Sequence, residues 1–297
     1  MRFAGFELRV LDTARGWLHA VVGGSGPPVL LLHGYPQTHL MWHAVAPLIA
    51  ERHTVVATDL TGYGASFRPH PTPDHTAHSK RAMAQDQLEA MASLGFERFA
   101  VAGHDRGGRV AYRMALDHPD RVERVSVMDI VPTGEVWRRA DRDFATGYWH
   151  WAFLAQPAPL PERLIGGDPD AYFDLQVRGG MGLGGERDRY PRDVLDAYRR
   201  LFDDGASIEA MCEDYRAGAT VDAAYDDADR DAGRTIACPV QVLWGDRGAL
   251  PRFYDDVLEV WRPWAPDLRG AALDASHFLA EDQPEATARE LLAFLAG

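Results

Sequence analysis

Apolar residues gather along this chain in short unbroken runs, centred on Val29 to Leu32, Thr54 to Ala57, Phe99 to Ala102, Val125 to Met128 and Val240 to Trp244. Each run stops at a turn. His33-Gly34-Tyr35-Pro36 follows the first, and Asp59 with Gly62-Tyr63-Gly64 follows the second. Gly103-His104-Asp105, Asp129 and Gly245-Asp246 follow the others. Runs of this length without polar alternation read as strands buried on both faces. Helical patterns such as Met83 to Leu94 and Arg109 to Leu116 separate them. The rhythm predicts an α/β fold whose mostly parallel sheet is flanked by helices. Ligands of such sheets bind outside the carboxyl ends of the strands, where every polar residue just named falls.

From about Pro132 to Asp231 the strand rhythm stops. This stretch is aromatic and helical, with Trp137, Tyr148, Trp149, Trp151 and Phe153, and is broken by Gln156-Pro157-Ala158-Pro159 and Gly166-Gly167-Asp168-Pro169. Strands resume at Ile236. Residues 1–131 and 232–297 are therefore expected to form the core, and residues 132–231 a helical cap over the strand ends that excludes water. Gly179 to Gly185 holds five glycines in seven residues, which predicts a mobile part of that cap.

Composition narrows the picture. At 297 residues the chain suits one large α/β domain with an insertion. Net charge is −13, spread along the chain, which argues against nucleic acid or an anionic membrane as partner. No run nears the roughly 20 apolar residues of a membrane helix, and Met1 to Val10 lacks the pattern of a leader peptide. Two cysteines, Cys212 and Cys238, are too few for a disulfide framework. The expected address is the cytoplasm.

The chemistry begins at Gly103-His104-Asp105-Arg106-Gly107, a strand, tight turn and helix start in sequence. This is the context of a nucleophile elbow, usually G-x-S-x-G, with aspartate in place of serine. A carboxylate with a reference pKa of about 3.9 is ionised at neutral pH and attacks without a base. It displaces a leaving group from tetrahedral carbon and becomes an ester, which a second step must hydrolyse. Asp105 is the candidate nucleophile rather than a mere helix cap. His277 lies between a late strand (Leu268 to Leu273) and a final amphipathic helix, the position of the histidine in the chain order nucleophile, acid, histidine. It is the candidate base that activates water.

Two aspartates compete to orient His277. Asp129 ends one strand and Asp246 follows another; a W-G-x-x-D pattern would place the acid at position 248, which is glycine. The reading favours Asp129. Arg106 and Arg109 project from the first turn of the helix after the nucleophile, itself an anion-favouring end. Guanidinium groups bind carboxylates in a bidentate fork, so the pair predicts a small carboxylate substrate despite the acidic total. Arg113 and Arg121 are expected to be surface arginines paired with nearby acids. Backbone N–H groups of Tyr35 and Arg106 are placed to form an oxyanion hole. His150, Trp151 and Tyr215 carry N–H or O–H donors in the cap, but by spacing alone they read as cap core. No residue pattern calls for a cofactor or a metal.

Five segments together resemble the fluoroacetate (haloacetate) dehalogenases of the α/β-hydrolase fold: Gly103 to Arg109, Met128 to Pro132, Tyr148 to Glu162, Met211 to Gly218, and Ser276 to Leu279. The resemblance covers most of the chain, and its cap motifs belong to that family rather than to the wider fold. It implies that Asp105 attacks the α-carbon and expels halide, and that His277 with Asp129 drives hydrolysis to glycolate. It implies that Arg106 and Arg109 hold the carboxylate and that His150, Trp151 and Tyr215 cradle the halide ion. It implies a homodimer. Members of the family carry a cap tryptophan about where this chain reads Arg178-Gly179-Gly180-Met181-Gly182, a departure that would widen the pocket and weaken selectivity for fluoride.

Two other readings compete. An epoxide hydrolase uses the same aspartyl ester, yet typically has an aromatic residue after the nucleophile where this chain has Arg106. A catalytically silent binding protein of the same fold would have no use for a complete set of Asp105, Asp129 and His277.

Overall fold

Eight strands form one sheet in the computed structural model, which describes residues 3–180 and 190–297. They are β1 (Phe6–Asp12), β2 (Trp17–Gly24), β3 (Pro28–Leu32), β4 (Thr54–Thr58), β5 (Phe99–His104), β6 (Val122–Met128), β7 (Val240–Gly245) and β8 (Leu268–Leu273). Their order is β1-β2-β4-β3-β5-β6-β7-β8. The pairings of β2 with β1 and β4 are antiparallel and all others parallel. The unbroken apolar runs are the central strands: Val29 to Leu32 and Val55 to Ala57 have no exposed surface.

The terminal hairpin was not legible in the apolar rhythm. In β1 the charges Glu7, Arg9 and Asp12 interleave with Leu8 and Val10, and both of these apolar residues are exposed. An edge strand has one paired side and little to bury, so alternation there carries no clear signal.

The main flanking helices are α1 (Lys80–Ser93), α2 (Arg106–Asp117), α3 (Trp149–Leu154), α4 (Gly205–Ala219), α5 (Val221–Asp231) and α6 (Pro284–Leu295). Local chemistry starts several of them. The Ser79 hydroxyl accepts the Ala82 amide at the head of α1, and the Asp204 carboxylate accepts the Ala206 amide at the head of α4. Between β6 and β7 the described residues contain helices and no strand. From Met181 onward the glycine-rich segment, with its expected mobility and pocket widening, lies outside the described residues up to Arg189.

Polar residues fasten the inserted helices to the core. Asp226 of α5 accepts the Tyr112 hydroxyl at 2.8 Å, the Gly134 amide at 2.8 Å and Arg113 Nη2 at 2.7 Å. Asp229 receives Arg113 Nη1. Arg113 is thus buried, not the surface arginine expected from its place on α2. The acids of α5 replace the water that Arg113 would otherwise meet. Arg121 keeps the expected arrangement, pairing with Glu97 at 3.2 Å. Among the described residues no helix is long and apolar enough to cross a membrane.

The glycines of the elbow are dictated by space. A Cβ on Gly107 would lie 2.4 Å from the His33 carbonyl oxygen and 2.6 Å from that of Leu32, both backbone atoms of β3 or its turn. Gly107→Ala is therefore expected to destabilise the fold by about 2–3 kcal/mol through overpacking. Gly166 lies in a helix where an added Cβ would meet nothing within 4 Å. It should instead tolerate alanine or gain about 0.5 kcal/mol. Urea unfolding of the two variants checks the contrast.

Candidate active site

Asp105 sits where β5 turns into α2, with φ 45° and ψ −115°. A non-glycine residue in that region costs about 1–3 kcal/mol and persists only where its surroundings hold it. Those surroundings are visible. The Asp105 amide donates to the Met128 carbonyl at 3.1 Å, and its own carbonyl accepts the Arg109 amide at 3.1 Å. Close approach needs glycines on both sides: a Cβ on Gly34 would lie 2.6 Å from Asp105 Cβ, and one on Gly103 would lie 2.3 Å from the Gly107 carbonyl.

The carboxylate is nearly buried, at 7% exposure. Burial pushes its pKa up, but the charges of His277, Arg106, His104 and Arg109 outweigh burial and bring it down to about 2. It is an anion at any working pH. The Tyr35 amide donates to Oδ2 at 2.9 Å. No donor reaches Oδ1 among the described residues, which leaves that oxygen free to react. Arg106 is the first residue of α2, so its amide has no intrahelical acceptor. Tyr35 thus meets Asp105 by its amide, its ring being turned elsewhere, against Tyr172 and Tyr215. His33 holds this turn: Nδ1 donates to the Gly34 carbonyl at 2.8 Å while Nε2 accepts the Leu60 amide at 2.9 Å. That pattern requires a neutral ring, and burial lowers its pKa to about 4.

His277 Nδ1 lies 2.6 Å from Asp129 Oδ2. The second oxygen of Asp129 accepts the Gly245 amide at 3.0 Å. Asp246 is exposed and outside this arrangement. The geometry explains why position 248 carries no acid. A Cβ on Gly248 would lie 3.3 and 3.4 Å from the two Asp129 oxygens, so a carboxylate from β6 fills the place that one from the later loop would take. Asp129 is itself at φ 52°, a turn that swings its side chain toward β7 and His277. Burial would lower the His277 pKa, but the hydrogen bond and charge of Asp129 and the charge of Asp105 raise it overall. His104 helps to place the same loop, since its Nε2 donates to the His277 carbonyl at 2.7 Å.

The pocket in front of Asp105 is lined by Arg109, Asp129, His277, His150, Trp151 and Tyr215 among others. It is small, about 20 Å³, room for one or two waters. His150 and Trp151 come from α3 and Tyr215 from α4, so the inserted helices close the site. Their rings interlock edge-to-face, Tyr215 lying 5.9 Å from both His150 and Trp151. Burial lowers the His150 pKa to about 3 and holds Tyr215 well above its usual value. Both are therefore neutral, with protons to donate. His150 Nδ1 is buried without a partner.

The two arginines part company. Arg109 lines the pocket, its Nη1 held by the Val131 carbonyl at 3.0 Å and the Thr133 hydroxyl at 3.1 Å, its guanidinium 4.5 Å from the Trp151 ring. Arg106 is fully buried, and the fork expected to clasp a ligand is already engaged. Nε and Nη2 donate to Asp214 at 2.9 and 2.7 Å, and Nη2 also to the Asp214 carbonyl at 2.7 Å. Only Nη1 has no partner. Asp214 thus takes the bidentate fork that the sequence reading offered to a ligand, and Arg106 is not among the residues that line the pocket. Asp214 stands in the quoted run Met211 to Gly218 but has no spacing that marks it as the partner of Arg106.

Sequence reasoning also missed Tyr148, Val131, Val136, Leu250 and Tyr254 as pocket walls. Tyr148 adjoins the quoted Trp149-His150-Trp151. Leu250 and Tyr254 come from the turn after β7 and carry no local signal. His19, His39 and Asp59 bring three ligating side chains together, yet none lines the pocket. The Asp59 oxygens accept the His39 and Ala65 amides at 2.9 and 3.0 Å and lie 2.8 Å from His39 Nδ1 and 3.1 Å from His19 Nδ1.

Residues 27–284 match the alpha/beta hydrolase fold family. The chain is 47% identical to a fluoroacetate dehalogenase from Burkholderia sp over 294 residues, covering 99% of this chain and 95% of that one. It is 30% identical to a soluble epoxide hydrolase from Corynebacterium sp. (strain C12), covering 94% and 93%. A crystal structure of a proposed alpha/beta hydrolase from Nostoc sp PCC 7120 superposes with a TM-score of 0.93 at 49% identity, covering 99% of each chain.

Asp129 raises the His277 pKa whereas Asp246 stands apart, which separates the two candidate acids in solution. In an NMR titration of the imidazole, Asp129→Asn should move the His277 transition to lower pH, and Asp246→Asn should leave it in place.

Proposed function

This chain belongs to the alpha/beta hydrolase fold family, and from its site we propose that it is a haloacetate dehalogenase. It hydrolyses the carbon–halogen bond of fluoroacetate and related 2-haloacids to the hydroxy acid and halide. The observation that carries the reading is an ionised aspartate at the elbow, in one closed pocket with a guanidinium and a triplet of neutral ring donors. A hydrolase of carboxylic esters needs a neutral nucleophile with an adjacent base. Here the nucleophile is already charged, and the base is committed to a later step.

In the proposed first step Asp105 Oδ1 attacks the α-carbon from behind, forms the C–O bond of an ester and breaks the carbon–halogen bond. The halide leaves with the bonding pair. Donors from His150, Trp151 and Tyr215 meet the charge as it develops, so their stabilisation is greatest in the transition state. Arg109 and the free edge of Arg106 hold the substrate carboxylate, which aligns the carbon for displacement. In the second step His277 takes a proton from water, and the hydroxide attacks the Asp105 carbonyl carbon. The oxyanion rests on the Tyr35 and Arg106 amides. Glycolate departs with the proton from His277, the carboxylate is restored, and one proton is released for each halide.

The epoxide reading has one specific support, the protonated phenols of Tyr148 and Tyr215 in the same pocket. The cationic edge argues for an anionic substrate, since burying unmatched guanidinium against a neutral epoxide is unfavourable. We further propose that residues 132–231 act as the cap, and that the protein is a cytoplasmic homodimer that takes small haloacids and releases halide ion. Two buried free cysteines suit a reducing compartment. Leu160 and Leu164, one turn apart and exposed, offer an apolar strip to a second copy.

Ion detection of fluoride, chloride and bromide from the matching haloacetates, with an epoxide as control, tests the reaction; diol formation without halide release would favour the rival. His277→Asn should accumulate a carboxymethyl ester on Asp105, seen as added mass, and Asp105→Asn should form none. The two steps should also separate with pH. Alkylation needs Asp105 ionised and stays flat until pH nears the Asp105 value of about 2. Hydrolysis needs neutral His277, whose pKa is raised, so it slows as pH falls through that value. Rapid-quench mass spectrometry should therefore find more ester at acid pH.

A further inference from the structure

Asp214 lies on α4 in the inserted segment, yet its carboxylate is wholly surrounded by residues of the core. Arg106 reaches it through Nε and Nη2. The Tyr63 hydroxyl donates to Oδ2 at 2.7 Å, and Lys80 Nζ donates to Oδ1. Tyr63 stands in the turn after β4 and Lys80 opens α1. Asp214, Arg106, Lys80 and Tyr63 are all buried to 2% exposure or less. A lone carboxylate so placed would be prohibitively costly, and two cations with one phenol make it stable. Burial raises the Asp214 pKa, but Arg106 and Lys80 outweigh it and hold the group well below the usual carboxylate range.

A planar guanidinium held at two of its three nitrogens has no freedom to turn. The third nitrogen, Arg106 Nη1, is buried and has no partner. The packing around the guanidinium is close, on one face and at one edge. The guanidinium lies 4.2 Å from the Tyr215 ring centroid, and a Cβ on Gly218 would come within 3.1 Å of Nη2. Tyr215 and Gly218 belong to the same helix as Asp214. One helical segment thus supplies the anion that grips Arg106, the ring beneath it and the gap beside it.

Resting on the carboxylate-substrate reading, we propose that Asp214 is a positioning residue for the substrate carboxylate. It turns one N–H edge of Arg106 toward the pocket, and only when α4 is seated on the core. Recognition of the acid group and closure of the cap are then one event. With Asp214 absent, Arg106 keeps its charge but loses its direction, so ground-state capture of the anion suffers more than the displacement itself.

Steady-state kinetics with chloroacetate on the whole protein test this. Asp214→Asn should raise KM about tenfold or more, the scale of one charge-assisted hydrogen bond, with a smaller fall in kcat; Asp214→Glu should recover part of the loss. Gly218→Ala leaves every charge in place and presses only on Arg106, so it should raise KM several-fold at nearly constant kcat, and it remains informative if Asp214→Asn fails to fold. Asp222→Asn controls for stability: it removes a buried acid that touches Lys80 but not Arg106, and its KM should stay near wild type. Unchanged KM in the Asn and Ala variants, or an equal KM shift in Asp222→Asn, overturns the positioning role. A wild-type protein that releases no halide from any haloacetate would sink the dehalogenase reading itself, which separates the two failures.

Discussion

A carboxylate kept charged inside a closed pocket is the constraint on which the rest of this molecule depends. Burial alone would protonate Asp105 and make it a poor nucleophile. The chain resists that with an amide from Tyr35 on one oxygen and with His277, Arg106, His104 and Arg109 around it. The two guanidinium groups are fixed in turn by their own partners, Arg106 by Asp214 and Arg109 by the Val131 carbonyl and the Thr133 hydroxyl. The left-handed turns at Asp105 and Asp129 swing both carboxylates out of line with their strands. Strain of that kind survives because β3, β5 and β6 are paired in register on either side.

The inserted helices extend the same logic. They carry His150, Trp151 and Tyr215 to the pocket wall. They are themselves fastened by buried acids, Asp226 and Asp229 on Arg113 and Asp214 on Arg106 and Lys80. Buried ion pairs add little net stability relative to apolar packing, yet breaking one is costly. Their value here is geometric. A hydrophobic seam would let the helices slide, whereas a bidentate pair allows one seating.

Much of this was legible from residues alone. Unbroken apolar runs marked β3 to β7 because both faces of those strands are covered, and the polar residues that end them fell at one edge by the parallel topology. Asp105, Asp129 and His277 could be picked out because each follows a strand at a turn. The hairpin β1–β2 could not, since an edge strand shows no burial pattern. Arg113 pairs with the nearby acid Asp117 as expected, but it was misread as a surface residue because two further acid partners lie 113 and 116 positions along the chain, a separation at which no periodicity speaks.

By itself the sequence determined the fold class, the carboxylate at the elbow and the kinds of polar group available around it, because these follow from local pattern and residue chemistry. Only tertiary structure decided which aspartate reaches His277, since Asp129 and Asp246 both follow strands and only their placement in space separates them. It also decided that the Arg106 fork is taken by Asp214. Hydrogen-bonding capacity is a property of a side chain, but what remains of it for a ligand depends on which neighbours have already taken their share.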